Sequence, residues 1–249
     1  MKTAFITGAT SGIGKAAVTT FAAAGWRVVA IGRRAERLAD LENSLAADRL
    51  RTCAVDVRDN AAIEAAFAAL PEPFRQPDCL INSAGLSLGR GPFQQGEMDQ
   101  WQAMIETNVL ALLSMTRRLL PSLIKSKGIV INISSAAASY PYANSNVYGA
   151  SKAFVTRLSL GLRSDLHGTG VRVTSVEPGM VETEFMFVRS GGDAAEHDRA
   201  YRGTGPLAAD DIADTLLWIA ERPARVNINR IEIFPTSQSL AGFQIAKKG

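Results

Sequence analysis

The sequence predicts an α/β protein, a doubly wound parallel sheet of about seven strands forming a single domain over residues 1–249. Three observations predict it. Short β-branched runs alternate with segments of helical period along the whole chain, and that alternation builds parallel strands joined by crossover helices. The strand runs are apolar throughout, so helices cover both sheet faces. At 249 residues, 47% hydrophobic and 20% charged, the chain has the size and composition of one globular domain with a large core.

In order, "TAFIT" (3–7) precedes a helix over 12–24, "RVVAI" (27–31) a helix over 34–47, and "RTCAV" (51–55) a helix over 60–70. "DCLIN" (78–82) leads to a long helical region from Glu97 to about Lys125. The strand "GIVINIS" (128–134), a helix over 146–166, "VRVTSV" (171–176), a helix over 209–220 and "NRIEIF" (229–234) complete the series. Right-handed crossovers then place ligands at the carboxyl ends of the strands, near the switch between the first and the fourth. Residues 180–206 break the rhythm. Their "RSGGDAAEHDRAYRGTGP" predicts a long irregular substrate loop, either a lid or a surface excursion.

Composition removes several function classes. The net charge is +3 and the basic residues are scattered, so no nucleic-acid partner is expected. Cys53 and Cys79 lack CxxC spacing or neighbouring histidines and read as buried thiols of a reducing compartment. His167 and His197 read as surface residues, and no metal is implied. The apolar run at the amino end is too short for a signal peptide, and nothing approaches a membrane span. A cytoplasmic protein with no membrane partner is the expectation.

The turn "TGATSGIG" (7–14) joins the first strand to the first helix. Gly8, Gly12 and Gly14, with Thr10, Ser11 and Ile13 between them, let backbone N–H groups and the helix N-terminus approach a pyrophosphate. The fold is then Rossmann-like, although a glycine-rich turn alone also serves as a tight connection. At the end of the second strand Gly32 stands where a site for free ribose hydroxyls carries a carboxylate, and Arg33 and Arg34 follow. Two guanidiniums suit a 2′-phosphate, so the cofactor is expected to be NADP. Asp56 and Val57 are placed to meet the adenine, and Asn82, Ser83, Ala84 and Gly85 let the cofactor lie against the sheet.

Tyr148 and Lys152, four residues apart, share a helix face. A phenol titrates near 10 and works as an acid or base near neutrality only when a positive charge favours the phenolate, which Lys152 could supply. Ser135, at the end of the fifth strand, could hold the substrate oxygen while Tyr148 exchanges its proton.

"TGATSGIG", "INSAG", Asn108 in "ETNVL", "NISS" and "YGASK", in this order, resemble the short-chain dehydrogenase/reductase family over nearly the whole chain. The resemblance implies Tyr148 as acid/base, Ser135 as the substrate-orienting residue, Lys152 on the nicotinamide ribose, and Asn108 holding a water chain. It also places Pro178, Gly179, Val181 and Thr183 of "EPGMVETEF" at the nicotinamide end. One departure concerns Ser83, which stands where the family commonly has a second asparagine and puts cofactor affinity in question. Longer stretches, among them "GRRAERL" and "VNINRIEIFPTSQSLAGFQI", resemble the branch acting with NADP on small 3-hydroxy acids such as serine, allo-threonine and 3-hydroxypropionate. Related enzymes of that branch reduce sulfoacetaldehyde, and a homotetramer is implied. A small anionic substrate needs a cation, for which Arg189 is the first candidate and Arg90 the second. A bulkier carbonyl as substrate, or a non-catalytic NADP sensor, are the competing readings.

Overall fold

The computed structural model describes residues 1–89, 91–240 and 245. Seven strands form one sheet: β1 (Thr3–Thr7), β2 (Arg27–Gly32), β3 (Leu50–Ala54), β4 (Cys79–Asn82), β5 (Ile129–Ile133), β6 (Arg172–Pro178) and β7 (Arg230–Ile233). All pairings are parallel, in the order β3-β2-β1-β4-β5-β6-β7. The order reverses between β1 and β4, so the crevice opens where right-handed crossovers place it.

The apolar runs behave as their composition requires. Every residue of β1 and β5 is buried. Phe5 lies opposite Val29 on β2 and Leu80 on β4. Helices α1 (Gly12–Ala23) and α9 (Ala209–Ala220) pack together over one face, burying Ala17, Val18, Phe21, Ile212 and Leu216 against Ile6, Val28 and Ile81. The opposite face receives α5 (Leu112–Ser126) and the end of α6 (Asn146–Asp165), where Met115, Leu119 and Leu123 meet Phe5, Leu80 and Val130. Each such side chain contributes about 1.5–3 kcal/mol by leaving water. The smaller helices α2 (Ala35–Ser44) and α3 (Asn60–Ala68) follow β2 and β3.

The structure departs from the sequence expectation in three places. The helical region α4 (Met98–Ile105) to α5 is interrupted by a π-helical turn over Glu106–Ala111 that buries Asn108. The 180–206 segment is not one irregular loop. It carries α7 (Phe185–Arg189) and α8 (Ala194–Tyr201), separated by Gly191 and Gly192 with φ of 73° and 95°. Asp193 caps α8 by accepting from the Glu196 N–H at 3.1 Å. Finally, His197 is half-buried against the Tyr201 ring, with centroids 5.1 Å apart. No described helix is long and apolar enough to cross a membrane.

Candidate active site

A cleft of about 570 Å³ runs along the carboxyl ends of the strands. Its floor is built from the turn after β1. Gly8 has φ +69°, and a Cβ there would stand 2.9 Å from the Ala84 nitrogen. A Cβ on Gly14 would stand 2.3 Å from the Gly8 carbonyl oxygen. Only glycine lets α1 start this close to the sheet, and its N-terminus then faces the cleft with favourable polarity for an anion. The Thr7 hydroxyl accepts from the Ser83 and Ala84 N–H groups at 3.0 Å each, tying the β1 end to the β4 end.

One end of the cleft is cationic. Arg33 is largely exposed and lies 3.7 Å from Asp56. The Arg34 Nε and Nη2 donate to the Thr10 hydroxyl at 3.1 and 2.9 Å, and Nη2 also donates to Ser11 at 2.8 Å. Asp56 accepts from Arg58, which holds its carboxyl below the usual range despite partial burial.

The other end holds the reactive groups. Ser145 begins α6, so Tyr148 and Lys152 lie one turn apart and both are buried. The Lys152 Nζ donates to the Ile133 carbonyl at 2.9 Å and lies 5.9 Å from the Tyr148 ring centroid. Ser135 follows β5, accepts from the Ala137 N–H at 3.1 Å and lies close enough to Tyr148 to influence its phenol. Burial pushes the Tyr148 phenol above its ordinary value, helped by Tyr142, while the Ser135 hydroxyl and the Arg189 charge pull the other way. Burial also lowers Lys152, to about 8. Burial sets the direction at Tyr148, with Tyr142, Ser135 and Arg189 as the other contributors; the Lys152 ammonium, turned to the Ile133 carbonyl, is not among them.

The segment after β6 forms the cleft wall facing Tyr148. The Phe185 ring lies 5.4 Å from the Tyr148 ring. Arg189 donates to the Tyr142 hydroxyl at 3.0 Å and to the Asn144 carbonyl at 3.1 Å, and its buried Nε has no hydrogen-bond partner among the described residues.

Of the residues singled out in the sequence, Gly8, Thr10, Ser11, Gly12, Ile13, Arg33, Arg34, Asp56, Val57, Ser83, Ala84, Gly85, Ser135, Tyr148, Lys152, Pro178, Gly179, Val181, Thr183 and Arg189 all line this one cleft. Three do not. Gly14 lies behind the turn. Asn82 sits under the floor, donating to Thr116 at 3.0 Å and Asn132 at 2.8 Å, so its expected place on the cofactor is corrected to a bracing role in the sheet. Asn108 stands one step back: it accepts from the Leu86 N–H at 2.9 Å and donates to the Leu86 carbonyl at 2.9 Å and Ser151 at 3.0 Å. Arg90 lies outside the described residues. Tyr142, Glu184, Phe185, Tyr201 and Gln238 also line the cleft and were not singled out. For Glu184 and Phe185 the stretch "EPGMVETEF" was the one nearby signal; Tyr142, Tyr201 and Gln238 had none. No cluster of metal-ligating side chains occurs among the described residues.

The sequence profile of the family described as short chain dehydrogenase matches residues 2–190. The chain belongs to that family and is an oxidoreductase. It is 53% identical over 246 residues to serine 3-dehydrogenase of Agrobacterium fabrum, covering 99% of this chain and 98% of that protein. It is 50% identical over 244 residues to sulfoacetaldehyde reductase of Chromohalobacter salexigens, covering 97% and 96%. Among solved structures, the closed form of a serine dehydrogenase complexed with NADP+ superposes with a TM-score of 0.94 at 44% identity, covering 99% of this chain and all of that one.

Proposed function

We propose that this protein is an NADP-dependent dehydrogenase that oxidises the 3-hydroxyl of serine and of similar small 3-hydroxy acids. The observation that carries the reading is one continuous cleft with two guanidiniums at one end and Ser135, Tyr148, Lys152 and Arg189 at the other. The donor set fits the cofactor. Arg33, Arg34, Thr10 and Ser11 offer forked and hydroxyl donors for a 2′-phosphate, and the Gly8 turn has no room for a side chain against β4. Bound there, NADP supplies the acceptor for hydride from the carbon bearing the hydroxyl.

The rest falls to the chain. Ser135 holds the substrate hydroxyl beside the Tyr148 oxygen, and Tyr148 as phenolate takes the hydroxyl proton as the carbonyl forms. Lys152 lies within reach to favour that phenolate and to meet the nicotinamide ribose. Arg189, oriented by Tyr142 and Asn144, receives the carboxylate. Asn108 holds the Leu86 backbone and the Ser151 hydroxyl behind the site and keeps the water path to solvent.

The same cation would take a sulfonate, which is why reduction of sulfoacetaldehyde is the second reading, supported by the 50% identical relative. Exposed Leu110, Phe154 and Leu160 on the helices around α5 and α6 support assembly as a homotetramer. The buried free thiols Cys53 and Cys79 suit the cytoplasm.

Initial rates of NADP reduction with L-serine, L-allo-threonine and 3-hydroxypropionate test the reading, beside NADPH oxidation with sulfoacetaldehyde and a neutral ketone. Turnover of the hydroxy acids supports it. Activity on the sulfonate or ketone alone overturns the substrate, and NADPH binding without any turnover makes the protein a sensor.

A further inference from the structure

Glu184 occupies a position that neither the chemistry nor the cofactor site explains. It sits at the start of α7, in the cleft wall, and its two carboxylate oxygens are divided between two arginines of α2 and its cap. The Arg34 Nη1 donates to Oε2 at 2.8 Å and the Arg37 Nη1 to Oε1 at 2.6 Å. Burial alone would raise this carboxyl, but the two arginine bonds more than offset it and hold it below its ordinary value.

The neighbours of Glu184 reach both ends of the cleft. Thr183 lies against the glycine turn, where a Cβ on Gly12 would stand 3.0 Å from its methyl group. On the other side Phe185 packs on Tyr148, and Arg189 ends the same helix beside Tyr142. A five-residue helix has little stability of its own and needs anchors from outside. Glu184 is its anchor to α2.

That anchor draws on the wrong charge for the cofactor. Arg34 is one of the two guanidiniums facing a 2′-phosphate, and a carboxylate beside it both engages one of its donors and repels a second anion. Arg37, which does not itself line the cleft but also donates from Nη1 to the Thr10 carbonyl at 3.2 Å, carries the other half of the anchor.

We propose that Glu184 couples recognition of the cofactor phosphate to the seating of the substrate-binding helix, competing with the 2′-phosphate for Arg34 while fixing α7 through Arg34 and Arg37. The inference rests on the NADP reading above. It makes Glu184 a positioning residue with a two-sided effect: its loss favours the cofactor and disfavours the substrate.

Cofactor binding and serine kinetics of the full chain with Glu184→Gln test it. Its partly exposed ion pairs set the scale, so NADPH binds about threefold tighter, NADH is unchanged, and the KM for serine rises about threefold or more with a smaller change in kcat. Arg37→Met breaks the anchor but leaves Glu184 beside Arg34 and removes the bond to the Thr10 carbonyl, so it raises the serine KM while NADPH binds no tighter than to the wild type. A merely structural role for Glu184 would weaken NADPH and NADH alike and would overturn the inference, as would an unchanged serine KM in both variants. If the wild type shows no preference for NADPH over NADH, the cofactor reading fails and this inference with it. If that preference is present but Glu184→Gln leaves NADPH affinity unchanged, the inference alone fails.

Discussion

The two ends of the cleft are built differently. The nucleotide end is framed by backbone, a glycine turn, a helix N-terminus and three strand ends held by the buried sheet, with the Arg33 and Arg34 side chains added at its rim. The substrate end is side chain: Arg189, Phe185 and Glu184 on one short helix, meeting partners 37, 47 or 150 residues away in sequence. A frame made of backbone in a packed sheet is fixed by the core and tolerates few changes. A frame made of side chains on an excursion can change substrate without touching the fold.

The largest effect expected from this division is at the point where the two ends meet. Tyr148→Phe keeps the ring against Phe185 but removes the proton carrier. Turnover of serine falls by about 10²–10⁴-fold while NADPH affinity holds within about twofold. Steady-state rates beside a binding titration check it, and retained turnover would falsify the proposed acid/base role.

A smaller effect separates the substrate end. Arg189→Met removes the cation but keeps bulk beside Tyr142, so the KM for serine or sulfoacetaldehyde rises about 10- to 100-fold, the loss of a charge-assisted contact. A neutral ketone responds little, and so does NADPH. Equal losses for charged and neutral substrates would show that Arg189 shapes the cleft wall instead of binding an anion. At the opposite end, Arg33→Ala costs about 10-fold in NADPH affinity and nothing in NADH affinity. A shift in both cofactors would mean that Arg33 serves the turn through Asp56.

The same division governs how much could be read from the sequence. Strands buried on both faces are continuous apolar runs, so Thr3–Thr7 coincides with its expected span, as does the amphipathic helix Ala209–Ala220. Tyr148 and Lys152 could be paired because one helical turn places them together. Helices α7 and α8 could not be found that way. Five and eight residues are too few for a period to accumulate, and the two consecutive glycines between them read as loop. Nor did anything local mark Glu184 as the partner of Arg34 and Arg37, because that contact exists only once the chain has folded. Asn82 misled for a related reason. It ends a strand pointing at the cleft, but its side chain turns into the sheet to meet Thr116 and Asn132.

The smallest effect concerns stability, and it falls on Lys152, where the chemistry requires a buried ammonium. Burial lowers its pKa from 10.5 to about 8 in the folded protein. Below pH 8 both folded and unfolded chains hold the proton, so the cost of burying the charge is present in full. Between pH 8 and about 10.5 the unfolded chain still holds a proton that the folded chain has lost, so stability rises with pH across that window. Lys152→Met removes the charge and also the bond to the Ile133 carbonyl, leaving a net gain on the order of 1–3 kcal/mol at pH 7. For a chain of this size that is a rise in Tm of about 2–10 °C, together with loss of turnover. The raised phenol of Tyr148 acts only above its ordinary value of 10, and in both proteins alike. Thermal unfolding of the two proteins without added nucleotide, from pH 6 to pH 10, checks the account. The advantage of the variant shrinks as the pH passes 8, whereas a Tm difference constant with pH would place the effect in packing and leave the buried charge without a stability cost.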